Sequence, residues 1–293
     1  MLPVALRQTV EAHVGTVRAA VGIGGGDVSQ AARLDTAHGQ LFVKWGRGDA
    51  GRTYGAEAEG LAALAGVAGA DLVVPEPVAW GAPSDTEPGF LLLPWIQTGP
   101  AAGADWRRFG AALADLHRAE APGDGRYGWH ADNWIGSKPQ RNRWDDRWPE
   151  HWGECRLRAQ AETVRQRGAW RPDWDPLLDR LIGRLPEILP ATPPGSLLHG
   201  DLWAGNALAV LGGRFALIDP AVAVGHREAD LAMTELFGGF APGFYAGYRD
   251  AWSLTPGYAE RREVYTLYHL INHLTHGPSY AAPVESTLRR FGG

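Results

Sequence analysis

The segment His199-Gly-Asp201-Leu-Trp-Ala-Gly-Asn206, followed by Ala-Leu-Ile-Asp219-Pro, constrains this chain more than any other stretch. LLHGDLWAGNAL and FALIDPAVAVG are short apolar runs that flank turns, and the turns carry the polar residues. Asp201 and Asn206 are five apart, and Asp219 comes thirteen residues after Asn206. An isolated His-Gly-Asp is as readily a simple turn. Joined to Asn206 and the later Ile-Asp-Pro, each half predicts the other, and the set points to chemistry rather than to chain reversal.

Phosphoryl transfer needs what such a set offers. A carboxylate must orient an acceptor hydroxyl and take its proton, and Asp201 fits that role. Magnesium prefers carboxylate, amide and phosphate oxygens, and Asn206 and Asp219 are the candidate ligands. Four residues between Asp and Asn is also the spacing of a kinase catalytic loop. The Ile-Asp-Pro segment is not followed by an activation loop closing in Ala-Pro-Glu, which argues against a protein kinase.

The formal net charge is -5, so no electrostatic case exists for a nucleic-acid or anionic-membrane surface. The single cysteine, Cys155, excludes an intramolecular disulfide and a multi-thiolate zinc site. No window approaches the apolar length of a membrane span, and the N-terminus has no basic region followed by an apolar run. A cytoplasmic location is therefore expected. Lys44 and Lys138 are the only lysines among otherwise arginine-type cations, which makes Lys44 stand out.

Along the chain, residues 2–14 read as a short amphipathic helix. Val21 to Ile23, Val28 to Leu34 and Leu41 to Trp45 read as strands separated by glycine turns. Residues 53–66 favour helix, with Gly66 as a stop. PEPVAWG and GFLLLPWIQ read as two further strands. Five strands interrupted by one helix describe a small α+β lobe, assigned to residues 1–97. From 98 to 293 the pattern is mainly helical, beginning with Phe109, Leu113 and Leu116 at helical spacing. Residues 123–152 read as a long irregular segment, a kind that is often functional.

Lys44 lies near the end of the third predicted strand, where a kinase lysine holds nucleotide phosphates and a helix glutamate orients it. Glu57 and Glu59 lie on the next helix, and only one of them can face Lys44. Gly24, Gly25 and Gly26 lie between the first two strands, where backbone amides can approach phosphates. This triplet is neither GxxxxGK[ST] nor GxGxxG before a helix, which disfavours P-loop and Rossmann folds. His269, His273 and His276, together with His117, read as packed structural histidines. Trp144, Trp148 and Trp152 are expected to anchor a core. Trp203 differs, because its face could stack on a sugar or amine.

GGGDVSQ, LFVKW, the EAEGLAAL helix, LLLPWI, FGAALADLHR, GWHADNWIGSKPQRNRW, HGDLWAGN, LIDPAVAVGHREADLAMTELFGGF and YTLYHLINHL together resemble the fructosamine kinase (ketosamine-3-kinase) family. That family is a branch of the aminoglycoside-phosphotransferase and choline-kinase group. The resemblance implies a bilobal protein-kinase-like fold, with a small antiparallel-sheet N-lobe and a larger helical C-lobe. It implies ATP- and Mg2+-dependent phosphorylation of the 3-hydroxyl of a small sugar-amine, with glycated protein as a further substrate, and then deglycation. It places Lys44 on phosphates with Glu57 as partner, Asp201 as base, and Asn206 and Asp219 on magnesium. Pro94, Trp95 and Ile96 become the hinge that meets adenine, and Trp203, Asn133 and Trp134 the substrate side. Some members carry a cysteine in the glycine loop. Asp27 stands there in this chain, so redox control is not carried over. The rival readings are an aminoglycoside- or choline-kinase-like enzyme acting on another alcohol, a non-catalytic nucleotide-binding protein, and, more remotely, a His-Asp metallohydrolase.

Overall fold

The computed structural model describes residues 2–24 and 29–293. In chain order it begins with helix α1 (Val4–Val14) and strands β1 (Val17–Ile23), β2 (Gln30–Thr36) and β3 (Gly39–Gly46). Helices α2 (Asp49–Arg52) and α3 (Tyr54–Val67) and strands β4 (Leu72–Val73), β5 (Ala79–Gly81) and β6 (Gly89–Pro94) follow. Next come α4 (Trp106–Arg118), β7 (Asn133–Ile135), β8 (Lys138–Gln140), α5 (Trp148–His151), α6 (Ala159–Gln166) and α7 (Asp175–Ile188). Strands β9 (Gly195–Leu198), β10 (Ala207–Ala209), β11 (Phe215–Leu217) and β12 (Ala223–His226) precede α8 (Glu228–Leu236). Helices α9 (Pro242–Ala251), α10 (Tyr258–His273) and α11 (Ala281–Gly292) complete it.

These elements form two compact units, Met1–Asp105 with Ala207–Asp219, and Trp106–Asn206 with Pro220–Gly293. In the first, five strands make one antiparallel sheet in the order β1-β2-β3-β6-β5. Side chains alternate across a strand, so each strand serves two faces. Val43 and Trp45 of β3 join Phe90 and Leu92 of β6 on one face, packed with Leu6 and Val10 of α1. Phe42, Leu91 and Leu93 fall on the other face, with Tyr54, Ala58 and Leu61 of α3. Alternation therefore turns Lys44 toward α3. Strand β6 is buried from Gly89 to Leu93, as a central strand covered on both faces must be.

A second, smaller sheet in this unit has the order β10-β11-β4, with β11 parallel to β4. Residues 207–219 thus belong by their contacts to the first unit. Pairing over that separation leaves no local trace in the two residues of β4.

The second unit is built around α10. Its Tyr265, Tyr268 and Ile271 meet Trp148, Trp152, Leu157, Trp174 and Leu181 in one apolar cluster. Trp148 and Trp152 are core anchors as the spacing predicts, whereas Trp144 lies outside that cluster with Arg126 over its ring. Helix α4 packs on α9 through two glycines. A Cβ at Gly110 would lie 2.0 Å from the Phe244 carbonyl, and one at Gly247 2.0 Å from the Arg107 carbonyl. The expected irregular stretch contains the hairpin β7–β8 and the start of a helical run from 148 to 166. The middle of that run, Trp152–Arg158, is π-wound.

Three buried imidazoles give this unit an acid limit. Burial, against the bond to Asp145, holds His151 down to about 4. Burial also lowers His226 and His269 to about 3, helped by Arg261 and His273 respectively. Below an unfolded value near 6.5, the unfolded chain takes up protons that the folded chain refuses, at about 1.4 kcal/mol per pH unit for each group. The three groups together leave a net uptake approaching three protons on unfolding, or about 4 kcal/mol per pH unit between 6 and 5. The thermal midpoint should therefore drop by roughly 10 °C from pH 7 to pH 5. A midpoint that does not move would mean that these imidazoles are charged in the folded protein.

Candidate active site

In the first unit the structure brings Lys44, Glu57 and Asp219 together. Lys44 Nζ lies 2.6 Å from Glu57 Oε2 and 2.5 Å from Asp219 Oδ1. Glu57 and Leu61 are one helical turn apart, so packing Leu61 into the core aims Glu57 at the sheet. Burial alone would pull the Lys44 ammonium down, but the two carboxylates outweigh it and hold the group above its ordinary value. Burial pushes Glu57 up, against Lys44 and with Asp219, and its Oε1 bonds to nothing. Asp219 has φ +53°, a left-handed backbone that few residues other than glycine adopt, and Asp tolerates it better than most. That geometry turns the carboxylate back to Lys44 just beyond β11.

The hinge residues end the central strand. Pro94 closes β6 and has no N–H, and the Trp95 N–H donates to the Gln40 carbonyl at 3.1 Å. Trp95 and Ile96 are half-buried, and among the described residues no hydrogen bond occupies the Ile96 N–H. Gly24 follows β1, whereas Gly25 and Gly26 lie outside the described residues.

In the second unit, the loop after β9 carries Asp201, Trp203 and Asn206. Asn206 Nδ2 donates to the Asp201 carbonyl at 2.9 Å and reaches Asp201 Oδ2 at 3.4 Å. The loop is thus closed through main chain, and among the described residues the amide Oδ1 accepts no bond. Trp203 is 41% exposed, with its ring lying over Gly205, where a Cβ would come within 2.3 Å. Trp134 is half-buried.

Asn133, expected on the substrate side, lies in the interior of the second unit. It is buried, its Nδ2 donates to the Val222 carbonyl at 2.8 Å, and its Oδ1 accepts from Gln140 and Asn142. Its amide oxygen is thus shared by two side-chain donors, and one of its two N–H groups is given to main chain.

One residue central to the loop was missed by sequence reasoning. Asp230, buried on α8, accepts the His199 N–H at 2.7 Å and the Gly200 N–H at 2.9 Å. His117 Nε2 stands 3.3 Å from the same carboxylate, and its Nδ1 is 2.8 Å from the Tyr248 hydroxyl. Burial alone would raise Asp230, but His117 and the loop amides hold it below the ordinary carboxylate range. The available signal was an acid set between Ala229 and Leu231 on a helix that is otherwise mostly apolar.

In the first unit the Asp219 side chain is half-exposed, and in the second the Asn206 side chain carries an amide oxygen, each a type of ligand that magnesium prefers. Among the described residues, the one His, Cys and acid set close enough to share an ion is Asp145, His151 and Cys155. Arg143, His151 and Cys155 already hydrogen-bond Asp145 there. The C-terminal histidines make no such set, and His273 Nδ1 bonds the His269 carbonyl at 2.7 Å.

An antiparallel sheet carrying a buried lysine–glutamate pair, with a mainly helical unit holding an Asp-to-Asn loop, defines a protein-kinase-like phosphotransferase architecture. The aminoglycoside phosphotransferase APH(4)-Ia shares this fold at a TM-score of 0.70, with 15% identity and 99% of each chain covered. A Thermobifida fusca protein assigned as a fructosamine-3-kinase superposes with a TM-score of 0.85 at 30% identity, over 97% of both chains. The Synechocystis protein assigned as a ketoamine kinase is 37% identical over 269 residues, 92% of this chain and 88% of its own. A chloroplastic protein-ribulosamine 3-kinase of Oryza sativa subsp. indica is 34% identical, over 86% of this chain and 72% of its own. The profile of the family described as fructosamine kinase matches residues 4–291, and the chain belongs to that family. Among the described residues, no helix is long and apolar enough to cross a membrane.

Proposed function

We propose that this chain transfers the γ-phosphoryl group of ATP to the 3-hydroxyl of a ketosamine, a sugar-amine of the fructosamine or ribulosamine type. The observation that carries this reading is the Lys44 ammonium held between two carboxylates, in a chain whose family membership runs from residue 4 to 291. Lys44, oriented by Glu57, binds phosphate oxygens. The Ile96 N–H meets the adenine, since Pro94 has none to give and that of Trp95 is taken. The glycine stretch that begins at Gly24 is the part of the chain assigned to the phosphates. Asp201 accepts the hydroxyl proton as the substrate oxygen bonds to phosphorus and ADP departs. Trp203 and Trp134 offer aromatic faces to the sugar-amine. Magnesium, when bound through Asn206 and Asp219, neutralises phosphate charge. The phosphorylated adduct then decomposes and releases the amine. Lysine-bound sugars on proteins present the same reacting group as free sugar-amines.

A panel of alcohols with coupled ADP detection tests this. Fructose-lysine and ribulose-lysine should exceed choline and an aminoglycoside by at least roughly 100-fold in kcat/KM. Turnover confined to choline or the aminoglycoside would overturn the substrate assignment and leave the phosphotransferase reading standing. Tight ATP binding without turnover of any alcohol would overturn both.

A further inference from the structure

The stretch Asn133-Trp-Ile-Gly-Ser-Lys-Pro-Gln140-Arg-Asn142 carries three amides, and all three are buried. Gln140 Nε2 donates to Asn133 Oδ1 and to the Ala221 carbonyl, both at 2.9 Å. Asn142 Nδ2 donates to Asn133 Oδ1 at 2.8 Å. Asn133 in turn holds the Val222 carbonyl at 2.8 Å. Two amides thus grip two consecutive carbonyls of one extended segment.

Behind them stands Arg156, a buried guanidinium with no carboxylate partner among the described residues. It donates to Asn142 Oδ1 at 2.8 Å, to the Arg141 carbonyl at 2.5 Å and to the Cys155 carbonyl at 3.3 Å. Arg156 sits in the π-wound run, a winding that often marks a side chain held for function. A buried cation satisfied only by neutral acceptors is costly, so stability alone does not explain it.

The gripped segment touches the catalytic loop directly. The Ala221 N–H donates to the His199 carbonyl at 2.8 Å. The Ala221 carbonyl occupies the space beside Gly200, where a Cβ would lie 2.0 Å from it. Gly200 is at φ +80°, so its peptide cannot relax by adopting an ordinary side chain's conformation. A slip of the 221–222 backbone therefore reaches the peptide that precedes Asp201.

We propose that Asn133, Gln140, Asn142 and Arg156 form a positioning bracket that sets the Asp201 loop through the Ala221 and Val222 carbonyls. These are positioning residues, and none of them touches substrate. The inference rests on Asp201 being the base.

The test compares Gln140→Met with Tyr268→Phe in the full chain. Tyr268 donates its hydroxyl to the other atom of the same amide, Gln140 Oε1, at 2.9 Å. Gln140→Met removes the grip on Ala221, whereas Tyr268→Phe leaves it. Gln140→Met should lose about 100-fold in kcat while the KM for ATP and for the alcohol stays within about threefold, the pattern of a misplaced base. Tyr268→Phe should keep kcat within about threefold although its melting midpoint also falls. Equal kcat losses in both variants would overturn the bracket, as would an unchanged kcat in Gln140→Met. If Gln140→Met does not fold, Asn133→Asp takes its place. It replaces the donor to Val222 by an acceptor oxygen facing that carbonyl, while the other oxygen can still accept from Gln140 and Asn142, and it must show the same loss confined to kcat or the proposal fails. The assay uses whichever alcohol the wild type turns over, so an error in the substrate shows in the wild type and an error in the bracket only in the variants.

Discussion

Asp201→Asn should lower kcat by about 1,000-fold, within the range that a positioned base contributes. The substitution removes the proton-accepting carboxylate while keeping the side-chain size and the main-chain carbonyl on which the loop closes. Asn206 closes the loop on the Asp201 main-chain carbonyl at 2.9 Å, and its reach to Oδ2 at 3.4 Å is the weaker contact. The melting midpoint and ATP affinity should stay near wild type, and ATP affinity is measured by titration calorimetry. Asn206→Ala gives the contrasting pattern, since it removes both a candidate metal ligand and the loop closure, and its apparent affinity for magnesium–ATP should fall along with kcat. An Asp201→Asn enzyme that keeps more than about a tenth of wild-type kcat would show that the proton goes elsewhere.

The parts of this site governed by local periodicity were legible in the chain. Two-residue alternation in LFVKW separates Lys44 from Val43 and Trp45, and a four-residue helical step ties Glu57 to Leu61. Both places in the fold follow from neighbours a few residues away. What depends on distant pairing was not legible. β4 is two residues long and exists because β11 lies beside it. Helix α3 runs to Val67, past Gly66, because its end is decided by the turn into β4 rather than by one glycine. The amides of Asn133, Gln140 and Asn142 have the composition of a surface loop. Only the carbonyls of residues 221 and 222 and the guanidinium of Arg156, all far along the chain, make them interior. A polar residue's burial is a tertiary fact, which is why Asp230 did not register as an anchor.

Asp230 should therefore be the acid whose loss destabilises the protein most, and replacement by asparagine should not rescue it. Its Oδ2 faces the His199 N–H and His117 Nε2, and its Oδ1 faces the Gly200 N–H. A carboxylate accepts at both oxygens, whereas an amide must turn an NH2 toward one of these donors. Asp230→Asn thus leaves a buried N–H facing another, and Asp230→Ala leaves both loop amides without a partner. Each variant should lose about 3–5 kcal/mol, the penalty for breaking a buried charge network from one side. Turnover should collapse with it, because the two freed amides immediately precede Asp201. Hydrogen exchange at the His199 and Gly200 amides separates this from general softening. Those two should lose protection before the amides of α10 in a variant that still folds. Should Asp230→Asn melt within about 2 °C of wild type, the loop would be held by the pairing of β9 with β12 instead, and the buried carboxylate would be a passenger of the helix that carries it.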